Sequence, residues 1–248
     1  MPIAEDFSSI YEHRWDVNFS QCAPNGLMKY TDLCNILQLT AAYHAEKGGI
    51  SFSEMQQFSQ AWVLSRMRVE VLRLPKWKET VTVKTWIVSL ENSRSVRALE
   101  VYGETGEKLV GCETYWAVFN TRIRRPEALA LPHEHYHKYT DVFATTQRVS
   151  KIMFFESVKA VRKHKVVVSD LDIVNHVNNV KYLEWCLDTL DPHILLDSQV
   201  NAFEMNFMKE LMLGEEVCIE EMKTDKNPIF SISREGKSCF ALELELKR

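Results

Sequence analysis

The chain has 248 residues, 46% of them hydrophobic, enough for one large domain or two modest ones with a proper core. Its formal net charge of -4 provides no global positive field, which argues against nucleic-acid binding. Cys22, Cys34, Cys112, Cys186, Cys218 and Cys239 are scattered without a C-x-x-C pair, so neither a zinc site nor a disulfide framework is indicated.

The opening residues, MPIAEDFSSIYEHRW, show no basic region followed by an apolar stretch, and no apolar run is long enough to cross a bilayer. With the cysteine usage, this sets the expectation of a cytoplasmic protein with no membrane span. A first strand is expected in YEHRWDVNFS (11–20). Residues 29–47 then place Leu33, Ile36, Leu37, Thr40, Ala41 and His44 at helical spacing, and Gly48-Gly49 supplies the stop. Four strands rich in β-branched and aromatic residues follow, at 61–74, 80–90, 94–103 and 108–120. The short turns between them, including ETGE, imply antiparallel neighbours.

From about 121 to 157 the periodicity fades, and residues 126–157 read as a linker. Its His133, His135 and His137 would share one face of an extended segment, but no carboxylate or thiolate set accompanies them, so no metal site is assigned. The first pattern then returns: a strand at 160–169, a helix at about 178–190, and strands near 199–209, 215–225, 228–235 and 238–247. Strand, helix and four strands, twice over, indicate two copies of one α+β unit, with domains at 1–125 and 158–248.

The second helix carries Lys181, Glu184, Asp188 and Asp191 as one narrow charged stripe, with Val180, Tyr182, Leu183, Trp185, Cys186 and Leu187 on its other faces. Such a helix is mostly enclosed. The expected architecture is a tandem (double) hot-dog, two long helices each wrapped by a curved antiparallel sheet.

Where that helix begins, SDLDIVNHVNNVKYLEW (169–185) concentrates polar residues. First-turn N–H groups lack intrahelical partners there and the dipole favours negative charge, so an oxyanion could be held. Asn178 or Asn179 suits the N-cap. Asp172 and His176 suit an acid–base pair for hydrolysis, although an Asp/His set also serves purely structural ends.

The segment DLDIVNHVNNVKYLEW resembles that of the acyl-acyl carrier protein thioesterases, tandem hot-dog enzymes in which Asp-x-Asn-x-His-Val-Asn-Asn precedes the second helix. WVLSRMRVEVLRLPKWKETVTVKTW (62–86) resembles that family's Trp-Val-x-x-Arg-Met strand and Pro-x-Trp turn, and ETYWAVFNTRIRRP (113–126) its late strand, so the likeness covers roughly 10–247. It implies hydrolysis of fatty acyl thioesters on acyl carrier protein, with no cofactor. Asp172, His176 and Glu210 in NFMKEL match the family's acidic residue, histidine and downstream acidic residue. The family's asparagine falls on Val174, which has no side-chain hydrogen-bonding group; either Asn175 takes its role through a shifted loop, the favoured reading, or the chemistry dispenses with it. Leu211 stands where the plant enzymes commonly have cysteine, which leaves water as the nucleophile.

The first half has QCAPNGLMKY at the matching place, without Asp and His together, and is expected to be the non-catalytic copy. By the same resemblance its helix and sheet form part of the acyl pocket, with Leu33, Ile36, Leu37 and Thr40 as candidate lining or as simple core. The partner implied is an acyl carrier protein bearing a fatty acyl chain. Its acidity calls for a basic dock, either Arg122, Arg124 and Arg125 or Lys159, Arg162, Lys163 and Lys165. A homodimer stays open. The alternatives are an acyl-CoA thioesterase and a non-catalytic acyl-thioester-binding protein.

Overall fold

The computed structural model describes residues 3–153, 158–222, 224 and 227–247. The chain divides into two compact units, Met1–Cys22 with Gly26–Val149, and Ala23–Asn25 with Ser150–Arg248.

In the first unit, β1 (Ile10–Asp16) leads through a 3-10 turn (Phe19–Gln21) to α1 (Tyr30–Lys47) and the short α2 (Phe52–Gln56). The strands β2 (Gln60–Val71), β3 (Thr80–Glu91), β4 (Arg94–Tyr102) and β5 (Lys108–Asn120) follow, and β6 (Arg125–Pro126) folds back on β5. All pair antiparallel in the order β1-β3-β4-β5-β2. The α1 stripe read from the sequence is the buried one: Leu33, Ile36, Leu37, Thr40, Ala41 and His44 are enclosed, with Tyr30 and Cys34. Asp32 in its first turn and Lys47 in its last suit the helix dipole. Thr40 Oγ1 donates to Ile36 O at 2.7 Å and accepts from Trp15 Nε1 at 2.9 Å, tying the helix to β1.

The second unit repeats this plan. β7 (Lys159–Lys165) leads through a 3-10 turn (Val168–Asp170) to α3 (Asn179–Leu187) and α4 (Pro192–Leu196), then β8 (Val200–Phe207), β9 (Glu216–Met222), β10 (Ile229–Arg234) and β11 (Lys237–Leu246). The antiparallel order is β8-β11-β10-β9-β7, which mirrors the first sheet strand for strand. Ile10, Phe19, Cys22 and Tyr30 correspond to Lys159, Val168, Leu171 and Asn179, each 149 positions on. Each unit is a hot-dog: a helix between the first and second strands, laid against an antiparallel sheet.

Two features differ from the sequence reading. The second helix is not long. It spans nine residues and ends at Leu187, because Asp191 precedes a proline, leaves helical geometry (ψ 123°) and instead caps α4 by accepting from His193 N at 3.0 Å. All six apolar residues expected to be enclosed on it are buried.

The segment expected to be a linker is also more than a connection. Up to Val149 it belongs to the first unit, where Leu129 and Tyr136 join a core of Ile50, Met55, Ile87, Leu90 and Val118. Tyr136 packs so closely on Gly48 that a Cβ there would collide with its ring, and its hydroxyl donates to His44 O at 3.1 Å. Buried Glu113 accepts from Val149 N at 2.9 Å, and Glu70 from Thr146 N at 2.7 Å, fixing an irregular backbone that makes no ladder of its own. Residues 154–157 of that segment, and 223 and 225 of the strand expected at 215–225, lie outside the described residues. Among the described residues no helix is long and apolar enough to cross a membrane.

Candidate active site

The polar stretch forms a closed loop ahead of α3. Leu171 and Val177 bridge, Asp172 N donates to His176 O at 2.8 Å, and Asn175 N donates to Asp172 O at 3.0 Å. Asp172 Oδ1 accepts from Val174 N at 3.0 Å and His176 N at 3.2 Å, so this carboxylate holds the loop's backbone. Asn175 sits at the tip with φ +64°, where the first unit has Gly26 at φ +76°. Asparagine tolerates that left-handed conformation better than most residues, and the repeat shows the fold demands it there. Asn175 is exposed. Asn178, rather than Asn179, is the N-cap, accepting from Val180 N at 3.2 Å.

Glu210 reaches this loop because the segment leaving β8 is fastened beside it. Val177 N donates to Leu211 O at 2.9 Å, Leu211 N donates to Tyr182 Oη at 3.1 Å, and Met208 N donates to Cys239 O at 2.8 Å. These latches bring Glu210 Oε1 to 3.6 Å from His176 Nδ1. Both side chains are part-buried, 23% and 36% exposed, so water reaches them. In the two segments that carry them, Ile173, Val174, Met208, Met212 and Leu213 are exposed apolar side chains, beside exposed Asn175 and Lys209. Burial pushes the Tyr182 phenol up, keeping it protonated.

Of the four residues expected to carry chemistry, the structure therefore brings His176 and Glu210 together, places Asp172 beneath the loop and Asn175 at its tip. Sequence reading missed Tyr182 as a latch and the pair His164–Asp170 (2.9 Å), which braces the loop's entry: Asp170 Oδ2 also accepts from Val167 N, and His164 packs on Trp185. Burial raises the thiols of Cys186, Cys218 and Cys239, leaving none of them a ready thiolate. His133, His135 and His137 do not share a face: the first bonds Leu131 O, the second Gly48 O, and the third packs on Tyr139.

The first unit contains a cavity of about 210 Å³. Ala41, Ala45, Ile50, Trp62, Ile87 and Trp116 supply apolar wall, with Arg97 and Ser95 from β4 as polar lining. Leu33, Ile36, Leu37 and Thr40, the candidate acyl-pocket residues, do not line it; their face of α1 is packed as core and at most 1% exposed. The lining face of the helix is the next one round, that of Ala41, Ala42 and Ala45, where small side chains leave room. Arg97 Nη1 donates to His44 Nδ1 at 2.8 Å and Thr85 Oγ1 at 3.1 Å, and His44 Nε2 donates to Ser8 O at 2.9 Å. Burial, then the neighbouring guanidinium, holds His44 down at about 3. Burial pulls Arg97 down to about 10, still cationic at neutral pH.

Residues 8–139 match the model of the acyl-ACP thioesterase N-terminal domain and residues 156–242 that of the C-terminal domain. A chloroplastic palmitoyl-acyl carrier protein thioesterase of Gossypium hirsutum is 29% identical over 205 residues, which cover 77% of this chain and 49% of that protein. The chain spans about half the length of the curated relatives it matches. The crystal structure of an acyl-ACP thioesterase from Bacteroides thetaiotaomicron matches with a TM-score of 0.89 at 22% identity, covering 96% of this chain and 98% of that one. The 12:0-ACP thioesterase from Umbellularia californica gives 0.82 at 21% identity, covering 97% and 98%. At these identities the two structures speak for the fold, whereas the two domain models together account for most of the sequence: the chain belongs to the acyl-ACP thioesterase family.

Proposed function

We propose that the protein hydrolyses fatty acyl thioesters of acyl carrier protein, releasing free fatty acid and the carrier's thiol. The observation that carries this reading is the approach of His176 and Glu210 to 3.6 Å at the loop before α3, within a chain of this family. Glu210, assisted by His176, orients a water and takes its proton as the oxygen attacks the thioester carbonyl. The tetrahedral oxyanion collapses, the C–S bond breaks, and the same pair returns the proton to the leaving thiolate. Asn175 and the amino end of α3 stabilise the oxyanion, a contribution of about 3 kcal/mol for one well-placed donor. Asp172 is a positioning residue, its Oδ1 holding Val174 N and His176 N.

Water is the nucleophile in this reading, since Leu211 directly follows Glu210 where a cysteine would be needed. The acyl chain is assigned to the cavity of the first unit, lined by Ala41, Ala45, Trp62 and Trp116 and not by Leu33, Ile36, Leu37 and Thr40. For the carrier's dock, the exposed turn bearing Arg122, Arg124 and Arg125 suits better than β7. On β7, Lys165 and Lys159 face Glu216 and Glu221 of β9 across the ladder, which weakens their field, whereas Arg125 faces Asn120.

The test is release of free fatty acid from a ladder of acyl-carrier-protein chain lengths beside the same acyl groups on coenzyme A. Turnover of carrier-linked substrates at least tenfold above coenzyme A is expected. The reverse preference would make the protein an acyl-CoA thioesterase, and tight binding without turnover a non-catalytic acyl binder.

A further inference from the structure

Arg97 is out of place by ordinary rules. It is 6% exposed, it lies in phase with core residues Leu99 and Val101 on β4, and its polar partners are a neutral imidazole and a threonine hydroxyl. Among the described residues no carboxylate forms an ion pair with it. An enclosed cation without a counter-charge is costly, and chains normally pair such groups or remove them. This one instead lines a cavity whose wall is otherwise mostly apolar; Glu46, the acidic residue of the lining, is exposed at the rim. His44 cannot relieve the charge, because its Nδ1 already accepts from Arg97 and its Nε2 proton is used by Ser8 O.

We infer that the cavity of the first unit is a binding site for an aliphatic carboxylate, the Arg97 guanidinium meeting the carboxylate and the apolar walls taking the alkyl chain. A guanidinium offers a carboxylate two parallel charge-assisted hydrogen bonds, and its fork is only partly used here. The volume suffices: cavities of about 150 Å³ take benzene, and this one measures about 210 Å³. Two sources present this chemistry, a free fatty acid and an acyl chain carrying a second carboxylate at its far end. The site itself does not depend on the protein being a hydrolase; the second source does.

Trp62 and Trp116 in the wall make binding visible by intrinsic fluorescence. In the full-length protein, octanoate should bind at least tenfold more tightly than 1-octanol, whose chain is the same length without the charge. Arg97→Met should remove that preference while leaving octanol affinity in place, and Ala45→Trp, which fills the cavity while keeping the guanidinium, should abolish binding of both. Equal affinity of the wild-type protein for octanoate and octanol would overturn the inference, and needs no variant to fold. So would octanoate affinity unchanged in a folded Arg97→Met. Turnover then separates the sources: inhibition by octanoate identifies the free acid, whereas a KM for the suberic acid monothioester tenfold below that for the octanoyl thioester, lost in Arg97→Met, identifies the second carboxylate.

Discussion

His44 offers a prediction whose size follows from its surroundings. Its side chain is wholly enclosed, its Nδ1 accepts from Arg97, and its folded-state pKa lies near 3 against an ordinary 6.5. The unfolded chain therefore takes up a proton more readily than the folded one. The stabilisation is complete above about pH 6.5 and is lost as pH falls from there toward 3. Because pH 5.0 is still well above the folded value, the whole interval from 6.5 to 5.0 counts, and at 1.36 kcal/mol per unit the loss is about 2 kcal/mol. His44→Gln keeps an acceptor for Arg97 and a donor for Ser8 O while removing the titration. Denaturant unfolding, followed by tryptophan fluorescence at pH 7.5, 6.5, 5.5 and 5.0, should show the wild-type protein losing about 2 kcal/mol more than the variant between pH 7.5 and pH 5.0. Parallel stability profiles for the two proteins would refute the reasoning.

Other substitutions separate roles that the geometry superimposes. Asn175→Gly keeps the left-handed corner and deletes the amide, so stability should stay within about 0.5 kcal/mol while turnover falls by about two orders of magnitude; full turnover would reduce Asn175 to a turn residue. Tyr182→Phe leaves Leu211 N without its acceptor and should cost about 1–3 kcal/mol of stability. Since Glu210 is then held less firmly, kcat should drop with KM little changed, and an unaltered kcat would show that the latch does not position Glu210. Charge reversal at Arg122 and Arg125 should raise KM for carrier-linked substrates and flatten its salt dependence without affecting coenzyme A thioesters; equal effects on both would remove this turn as the dock. Ala45→Trp should shorten the preferred acyl chain, and a shift produced instead by Ile36→Trp would return the pocket to the packed face of α1.

Periodicity and turn chemistry made the repeat legible. The helix expected at 29–47 is Tyr30–Lys47, and each expected long strand of the first half overlaps a real one, since alternation and short links leave few other ways to pair. The charged stripe of the second helix runs on past Leu187 and suggests a longer helix, although Pro192 marks where Asp191 must leave helical geometry. Burial of Tyr136 and the latching of 146–149 onto Glu70 and Glu113 carry no periodic signature, as they join residues distant in sequence through irregular backbone. The candidate site is readable where it is local, in the turn from Asp172 to His176. Glu210 entered through resemblance alone, and Tyr182, which fastens its segment, looked like any apolar helix residue. Arg97 did leave a trace: in RSVRALEVY it falls on the same side as Leu99 and Val101, a charge in phase with a core.

Release of free acid by Glu210→Gln and His176→Ala, each checked for an unchanged fold and compared with the wild-type protein on one acyl-carrier-protein substrate under single-turnover conditions, tests the central claim most directly. Water activation by this pair predicts a loss of about a hundredfold or more in each variant. A wild-type rate in either would contradict it.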